Sequence, residues 1–333
     1  MRPALFACLV LSASIGTGAA RAAGWTLQSV DTPARVTAID TVDGQVRINA
    51  GGLWYRLTLD GPQPALVFID TPKPPEHPEG ALPDGRIATG TRDIARAWLA
   101  DPTTRYDHSV FGEKANAGSL VIETSDGKKD TVTLKDDAVF EDLEPRLADL
   151  NGDGHAEVVL VKSYIQRGAS LAVIAERKDH YEIVAETPAL GGPHRWLLPA
   201  GIADFNGDGK TDIALVRQPH TVGALELWTL DGGRLRKTAE IGDASNHVAG
   251  TGNLHMSGSA DFDGDGKPDL VVPSFDLSRL RLIGFVPDAH EIAGITLPDK
   301  AATDLGLVEM KAGPPAIAVG LANGTLVVAR PTP

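Results

Sequence analysis

Three segments of the chain repeat almost letter for letter. They read Ala148-Asp149-Leu150-Asn151-Gly152-Asp153-Gly154-His155-Ala156-Glu157, Ala203-Asp204-Phe205-Asn206-Gly207-Asp208-Gly209-Lys210-Thr211-Asp212 and Ala260-Asp261-Phe262-Asp263-Gly264-Asp265-Gly266-Lys267-Pro268-Asp269. From Asp149 to Asp204 is 55 positions, and from Asp204 to Asp261 is 57. A period of this size marks one supersecondary unit used repeatedly, each copy burying its apolar face on the next. Any fold for this chain must place the same acidic loop at equivalent points of successive units.

Within each loop the oxygen-bearing side chains stand at positions 1, 3, 5 and 9, and a glycine stands at position 6. Asp149, Asn151, Asp153 and Glu157 form the first set, Asp204, Asn206, Asp208 and Asp212 the second, and Asp261, Asp263, Asp265 and Asp269 the third. If the backbone curls around one point, these oxygens converge, and the glycine permits the tight turn. The backbone carbonyl at position 7 (His155, Lys210, Lys267) completes the expected set by analogy with other calcium loops. Carboxylate and amide oxygens are hard ligands, so the expected cofactor is Ca2+, about three ions in loops 149–157, 204–212 and 261–269. An EF-hand needs a glutamate at position 12 and helices on both sides. Position 12 is Leu160, Leu215 or Val272, and each loop leads into a β-branched run (Val158-Val159-Leu160-Val161, Ile213-Ala214-Leu215-Val216, Leu270-Val271-Val272) that reads as a strand.

These loops, with the strands that follow them, resemble the FG-GAP or VCBS repeat family, whose members are similar to the integrin α-subunit β-propeller. The likeness runs from about Leu143 to Val286, and no Phe-Gly…Gly-Ala-Pro signature is intact. It implies a propeller fold with calcium carried at positions 1, 3, 5 and 9 of each loop.

Outside the loops, further strand pairs flank turn residues. Val36–Asp40 and Gln45–Asn49 bracket Val42-Asp43-Gly44, Ser119–Thr124 and Asp130–Leu134 bracket Ser125-Asp126-Gly127-Lys128, and Ala316–Gly320 and Thr325–Ala329 bracket Ala322-Asn323-Gly324. Leu53–Leu59 and Ala65–Ile69 continue the first group, and Thr71–Pro83 is a proline-rich connection. Thr91-Arg92-Asp93 ahead of Ile94–Leu99 reads as a capped short helix. The expected class is all-β: one β-propeller domain over residues 23–333, with about six to seven four-stranded blades and Ca-binding loops. Early strand Trp25–Val30 would complete the last blade. Two stacked β-sandwiches explain the repeat period less well.

Composition bounds the function. Asp and Glu total 44 against 31 Lys and Arg, for a formal charge of −13, so no nucleic-acid partner is expected. The single cysteine, Cys8, excludes a disulfide scaffold and a cysteine-built zinc site. Arg2, the apolar run Ala4–Ile15 and Ala20-Arg21-Ala22 read as a signal peptide over residues 1–22, which implies an exported, periplasmic or extracellular protein. No later segment is long and apolar enough to serve as a transmembrane helix.

The metal loops share one face of the expected disc. On the opposite face stand His194-Arg195-Trp196, Gln218-Pro219-His220 and Ser245-Asn246-His247, with Arg105-Tyr106-Asp107-His108 as an earlier counterpart. His194, Arg195, Trp196, His220, Asn246 and His247 are the candidate ligand-binding residues, against the alternatives of loop packing or a transition-metal site built from the histidines. No nucleophile elbow, zinc-protease helix motif or phosphate-cradling loop occurs, so no catalytic residue is assigned. The expected function is a calcium-binding propeller acting as an interaction module for a protein or carbohydrate ligand. A hydrolase or lyase with its site in the central funnel, and a structural assembly subunit, remain the alternatives.

Overall fold

Strands alone build this chain in a computed structural model, which describes residues 24–73, 77–112 and 115–332 and contains no helix among them. The expected signal peptide at 1–22 lies outside the described residues. Strand β1 (Trp25–Val30) comes first. β2 (Val36–Val42), β3 (Gln45–Ala50), β4 (Leu53–Thr58) and β5 (Ala65–Ile69) form the first antiparallel sheet. Next come β6 (Ala88–Thr89), β7 (Ile94–Thr103), β8 (Asn116–Thr124) and β9 (Lys129–Thr133), then the short β10 (Ala138–Phe140). β11 (Arg146–Ala148), β12 (Glu157–Tyr164), β13 (Gly168–Arg177) and β14 (His180–Glu186) follow. These nine strands form one sheet in which β10 pairs with both β8 and β12, so it joins two four-stranded groups.

Two further four-stranded sheets follow in sequence. They are β15 (Leu197–Ala203), β16 (Asp212–Arg217), β17 (Ala224–Asp231) and β18 (Arg234–Ile241), then β19 (Gly258–Ala260), β20 (Asp269–Pro273), β21 (Arg279–Gly284) and β22 (His290–Thr296). The last sheet takes β23 (Ala301–Val308), β24 (Ala316–Leu321) and β25 (Leu326–Pro331) from the C-terminal end and β1 from the other. β1 runs antiparallel to β25 from Trp25 opposite Pro331 to Val30 opposite Leu326. The N-terminal strand thus completes the last sheet, as the sequence leads one to expect, and covers an edge that would otherwise be open to pairing. Counting the joined pair separately, the described chain holds six four-stranded units.

The expected helix after Thr91-Arg92-Asp93 is a strand. Ile94–Thr103 pairs along its length with β8, from Ile94 opposite Thr124 to Thr103 opposite Asn116. A run of six residues, five of them apolar or small, is too short to gain from helix cooperativity, and ladder bonds to the facing Ser119–Thr124 segment outweigh the local capping signal.

Packing between units follows chain order. One apolar cluster spans units two, three and four (Leu120, Leu160, Leu171, Leu215 among its members). A second joins units four and five through Phe205, Val216, Leu270 and Ile283, and a third joins five and six through Val271, Leu282, Ile317 and Val319. The fourth joins six and one through Ala318, Val328, Ile39 and Ile48. Central strands with a neighbour on both sides are apolar on both faces: every residue of β20 and β24 is buried. Unit one differs. In β3, Val46, Ile48 and Ala50 are buried while Gln45, Arg47 and Asn49 are not. That alternation leaves one polar face, and among the described residues no apolar cluster joins unit one to unit two.

Candidate metal loops and two polar clusters

Each acidic loop connects the first strand of its unit to the second: β11 to β12, β15 to β16 and β19 to β20. The glycines at positions 4 and 6 all have positive φ, for example +76° and +92° at Gly152 and Gly154, which a side chain at those points would oppose. In the third loop Asp261 accepts from the N–H of Gly264 (2.7 Å) and Gly266 (3.0 Å), Asp263 from Asp265 (3.0 Å) and Asp265 from Lys267 (2.7 Å). These bonds aim the carboxylates inward, and ligand atoms of Asp261, Asp263 and Asp265 lie within 4.8 Å of one another. The second loop follows the same plan: Asp204 accepts from Gly209 (3.0 Å) and Asn206 from Asp208 (2.9 Å). Its Asp204 Oδ1 is buried with no hydrogen-bond donor among the described residues.

Position 9 sits deeper than the rest. Glu157, Asp212 and Asp269 are buried, and each accepts from the backbone N–H at position 2 or 3 of its own loop. Burial, reinforced by the facing carboxylates at positions 1, 3 and 5, pushes Asp269 up to about 7. Burial, with two loop carboxylates adding to it, raises Glu157 and Asp212 as well. Crowded acidic oxygens, one of them buried without a donor, form a donor set suited to a hard cation.

The first loop departs from the other two. Arg92, from the turn before β7 in the preceding unit, donates from Nη1 to Asp149 Oδ2 at 2.5 Å. Burial opposes ionisation of Asp149, but Arg92 and the N–H groups of Gly152 and Gly154 outweigh it and hold this carboxyl below its usual range. The neighbouring Asp93 accepts from the Ala156 N–H (2.9 Å) and lies 3.4 Å from His155 Nδ1. Loop one therefore has a cation supplied by the chain itself. Of the position 7 side chains, Lys210 turns away to Asp231 (3.0 Å), and Lys267 lies against Gly207 of the second loop.

The ligand-face candidates gather at one place, though not as six equivalent groups. Trp196, Asn246 and His247 are buried at 2%, 0% and 1% exposure. The Trp196 Nε1 donates to the Glu141 carbonyl (3.1 Å), and its ring meets Phe111, His247 and His220 at centroid distances of 5.2, 5.0 and 6.0 Å. Asn246 donates to the carbonyls of Leu198 and Pro199, while its Oδ1 has no partner among the described residues. His247 bonds the Thr251 carbonyl through Nε2 (2.9 Å) and His220 through Nδ1 (2.9 Å). Burial, aided by His220, drives the His247 pKa down to about 4. His194, Arg195 and His220 are exposed. The His194 ring stacks at 5.2 Å on His108, while Arg195 bends back to the Leu190 carbonyl (2.9 Å).

Three participants carry no local sequence signal. Phe111 closes the aromatic cluster, and the buried Glu141 holds His108 (2.5 Å) and the Ser163 hydroxyl. The hydrogen bond that His108 donates to the Glu141 carboxylate raises the His108 pKa above its ordinary value.

A second cluster was not foreseen at all. Arg86 precedes β6, Glu144 precedes β11, His255 precedes β19, and Asp304 lies in β23, so four units each contribute one group. Arg86 reaches Glu144 (3.3 Å), Asp304 (3.9 Å) and the Gly252 carbonyl (3.0 Å). His255 Nε2 bonds the same Glu144 oxygen (2.9 Å), and its backbone N–H donates to Asp304 (2.9 Å). Burial pushes Glu144 up, yet His255, Arg146 and Arg86 together overcome it and hold the carboxyl at about 2. Asp304 is raised, chiefly by burial.

Comparison with known proteins agrees with the repeat. The FG-GAP-like repeat model matches residues 149–215 and 204–272, so the middle of the chain carries FG-GAP-like repeats. No match is found among curated proteins. Among solved structures, the exotype rhamnogalacturonan lyase YesX is similar at 15% identity and a TM-score of 0.39, over 83% of this chain. The chain spans 60% of the length of that structure.

Proposed function

We propose that the six units close into one β-propeller, stabilised by calcium in its acidic loops, that serves outside the cytoplasm as an interaction module for a protein or carbohydrate ligand. The observation that carries this reading is the loop itself, set three times between the first and second strands of successive units. Supporting closure, units two through six and then one pack in unbroken order, and β1 completes the sixth. The oxygen donor sets of loops two and three suit calcium, and Asp204, Asn206, Asp208, Asp212 and Asp261, Asp263, Asp265, Asp269 would hold it. Bound there, the ion neutralises carboxylates that repel one another at short range, which ties each loop to the strand behind it. The leader-like residues 1–22 support export.

On the opposite face, the exposed rings of His194 and His220 and the half-buried ring of His108, with Arg195, present the contact surface, and Trp196, Asn246 and His247 support it from beneath. Calcium addition to the chelated protein should raise its melting temperature. An identical melting curve in calcium and in chelator refutes the metal reading.

A further inference from the structure

The polar side of unit one faces a cavity of about 710 Å³, within the ~300–1,000 Å³ span of small-molecule sites. Its walls come from different parts of the chain. Unit one contributes Ala38, Asp40, Val42 and Trp54, and the cluster Arg86, Glu144, His255 and Asp304 forms the other side. Asn253 and Ser257 lie between, with Leu305 and Leu307 as apolar wall. Residues of units one, two, three, five and six line the cavity, among the described residues no apolar cluster joins units one and two, and none of the lining residues belongs to the acidic loops or to the histidine-bearing cluster.

Charge in the cavity is already compensated. Arg47 clamps Asp40 through two bonds of 2.7 and 2.5 Å. Arg86 and His255 share Glu144, and Asp304 receives the His255 N–H with Arg86 nearby. An anion would have to pull Arg86 away from two carboxylates, and a cation would compete with Arg86 and His255 for the same oxygens. A neutral ligand disturbs none of these pairs. It can still use their outward donors and acceptors, since each carboxylate offers about four lone-pair sites and each guanidinium five N–H groups. The same cavity is lined by a half-buried indole, Trp54, with the Arg47 guanidinium 5.7 Å from its ring centroid, and by aliphatic Ala38, Leu305 and Leu307. A molecule with an apolar C–H face on one side and closely spaced hydroxyls on the other matches both walls.

We infer that this cavity is a binding site for a neutral saccharide, its ring face on Trp54 and its hydroxyls on Glu144, His255, Asn253 and Asp304. The inference deepens the proposal of an interaction module by naming its ligand class and placing a site apart from the histidine cluster.

The test is calorimetric titration of the calcium-loaded full chain with neutral hexose and deoxyhexose oligosaccharides, alongside uronic-acid and amino-sugar oligosaccharides. At least one neutral probe should bind, and Trp54→Ala and His255→Ala should each weaken it at least tenfold. His180→Ala, at the exposed start of β14 and outside both clusters, should leave it unchanged. Trp54→Phe and His255→Gln serve where an alanine variant loses its calcium-dependent melting shift. Binding of none of the neutral probes, preference for a charged probe, or affinity indifferent to all four cavity variants overturns the inference. The melting shift in calcium is read in the same samples, so failure of the cavity and failure of the calcium-stabilised module are told apart.

Discussion

Arg92 makes the three loops unequal, and calcium titration of wild type against Arg92→Ala measures by how much. In loop two Asp204 Oδ1 is buried with no donor among the described residues, and in loop three the oxygens of Asp261, Asp263 and Asp265 converge within 4.8 Å, whereas in loop one Asp149 is bonded to Arg92 at 2.5 Å. At ~1 mM calcium and an extracellular-type affinity of ~10⁻⁴ M, each competent loop contributes ~1.4 kcal/mol. A chain of this size unfolds with an entropy of ~0.6 kcal/mol/K, so each loop is worth ~2 °C in melting temperature. Wild type should therefore gain ~4–5 °C from loops two and three. Arg92 is 51% exposed, so losing its ion pair should lower the calcium-free melting temperature by no more than ~1–2 °C. The variant should then gain ~2 °C more than wild type on calcium addition. Equilibrium dialysis with radioactive calcium counts the ions directly: two tight sites should become three. Three tight sites already present in wild type, or equal responses in both proteins, would show that the guanidinium simply swings aside and that the geometry around Asp149 does not limit binding.

Three other outcomes follow from the same contacts. Trp196→Ala should cost ~3–5 kcal/mol in denaturant unfolding, because it removes a buried ring and orphans the Glu141 carbonyl; a loss under ~1 kcal/mol would contradict its burial. Since the folded-state pKa of His247 is about 4 against 6.5 unfolded, its contribution is intact above pH 6.5 and is lost as pH falls toward 4, by up to ~3 kcal/mol. His247→Gln should flatten that part of the stability profile, and an unchanged slope would assign the loss to other groups. Deleting residues 24–30 should leave the β25 edge unpaired and promote self-association by light scattering, while a monomeric, equally stable variant would mean that β1 does not protect the edge.

How much of this was legible in sequence depends on how far each signal travels along the chain. The acidic loops are local: glycines at positions 4 and 6 and oxygen-bearing side chains at 1, 3, 5 and 9 lie within nine residues, and in the structure positions 1 to 6 form the turn while position 9 opens the strand behind it. Strands with paired hairpins were equally readable, because alternation and turn residues lie side by side. Ile94–Thr103 misled because Thr91-Arg92-Asp93 is a good local cap, whereas the partner that decided the matter, β8, begins at Asn116. The ligand-face residues show the next limit. Their grouping follows from repeat position, but which of them face solvent is set by Phe111 and Glu141, whose roles have no local signature.

The Arg86 cluster marks the far end of this scale. Its four members come from four units spread between residues 86 and 304, each an ordinary charged residue beside a strand. Yet one trace of it was visible in β3, where Gln45, Arg47 and Asn49 alternate with Val46, Ile48 and Ala50. In a repeat where central strands such as β20 and β24 are buried along their whole length, a strand that alternates has an apolar neighbour on one side only. The polar face it turns away must meet water or a ligand, because burying Arg47 and Asp40 against apolar side chains would cost several kcal/mol even as a pair. A single alternating strand in an otherwise two-faced repeat thus locates the seam, and with it the cavity, before any of the distant charged partners is known.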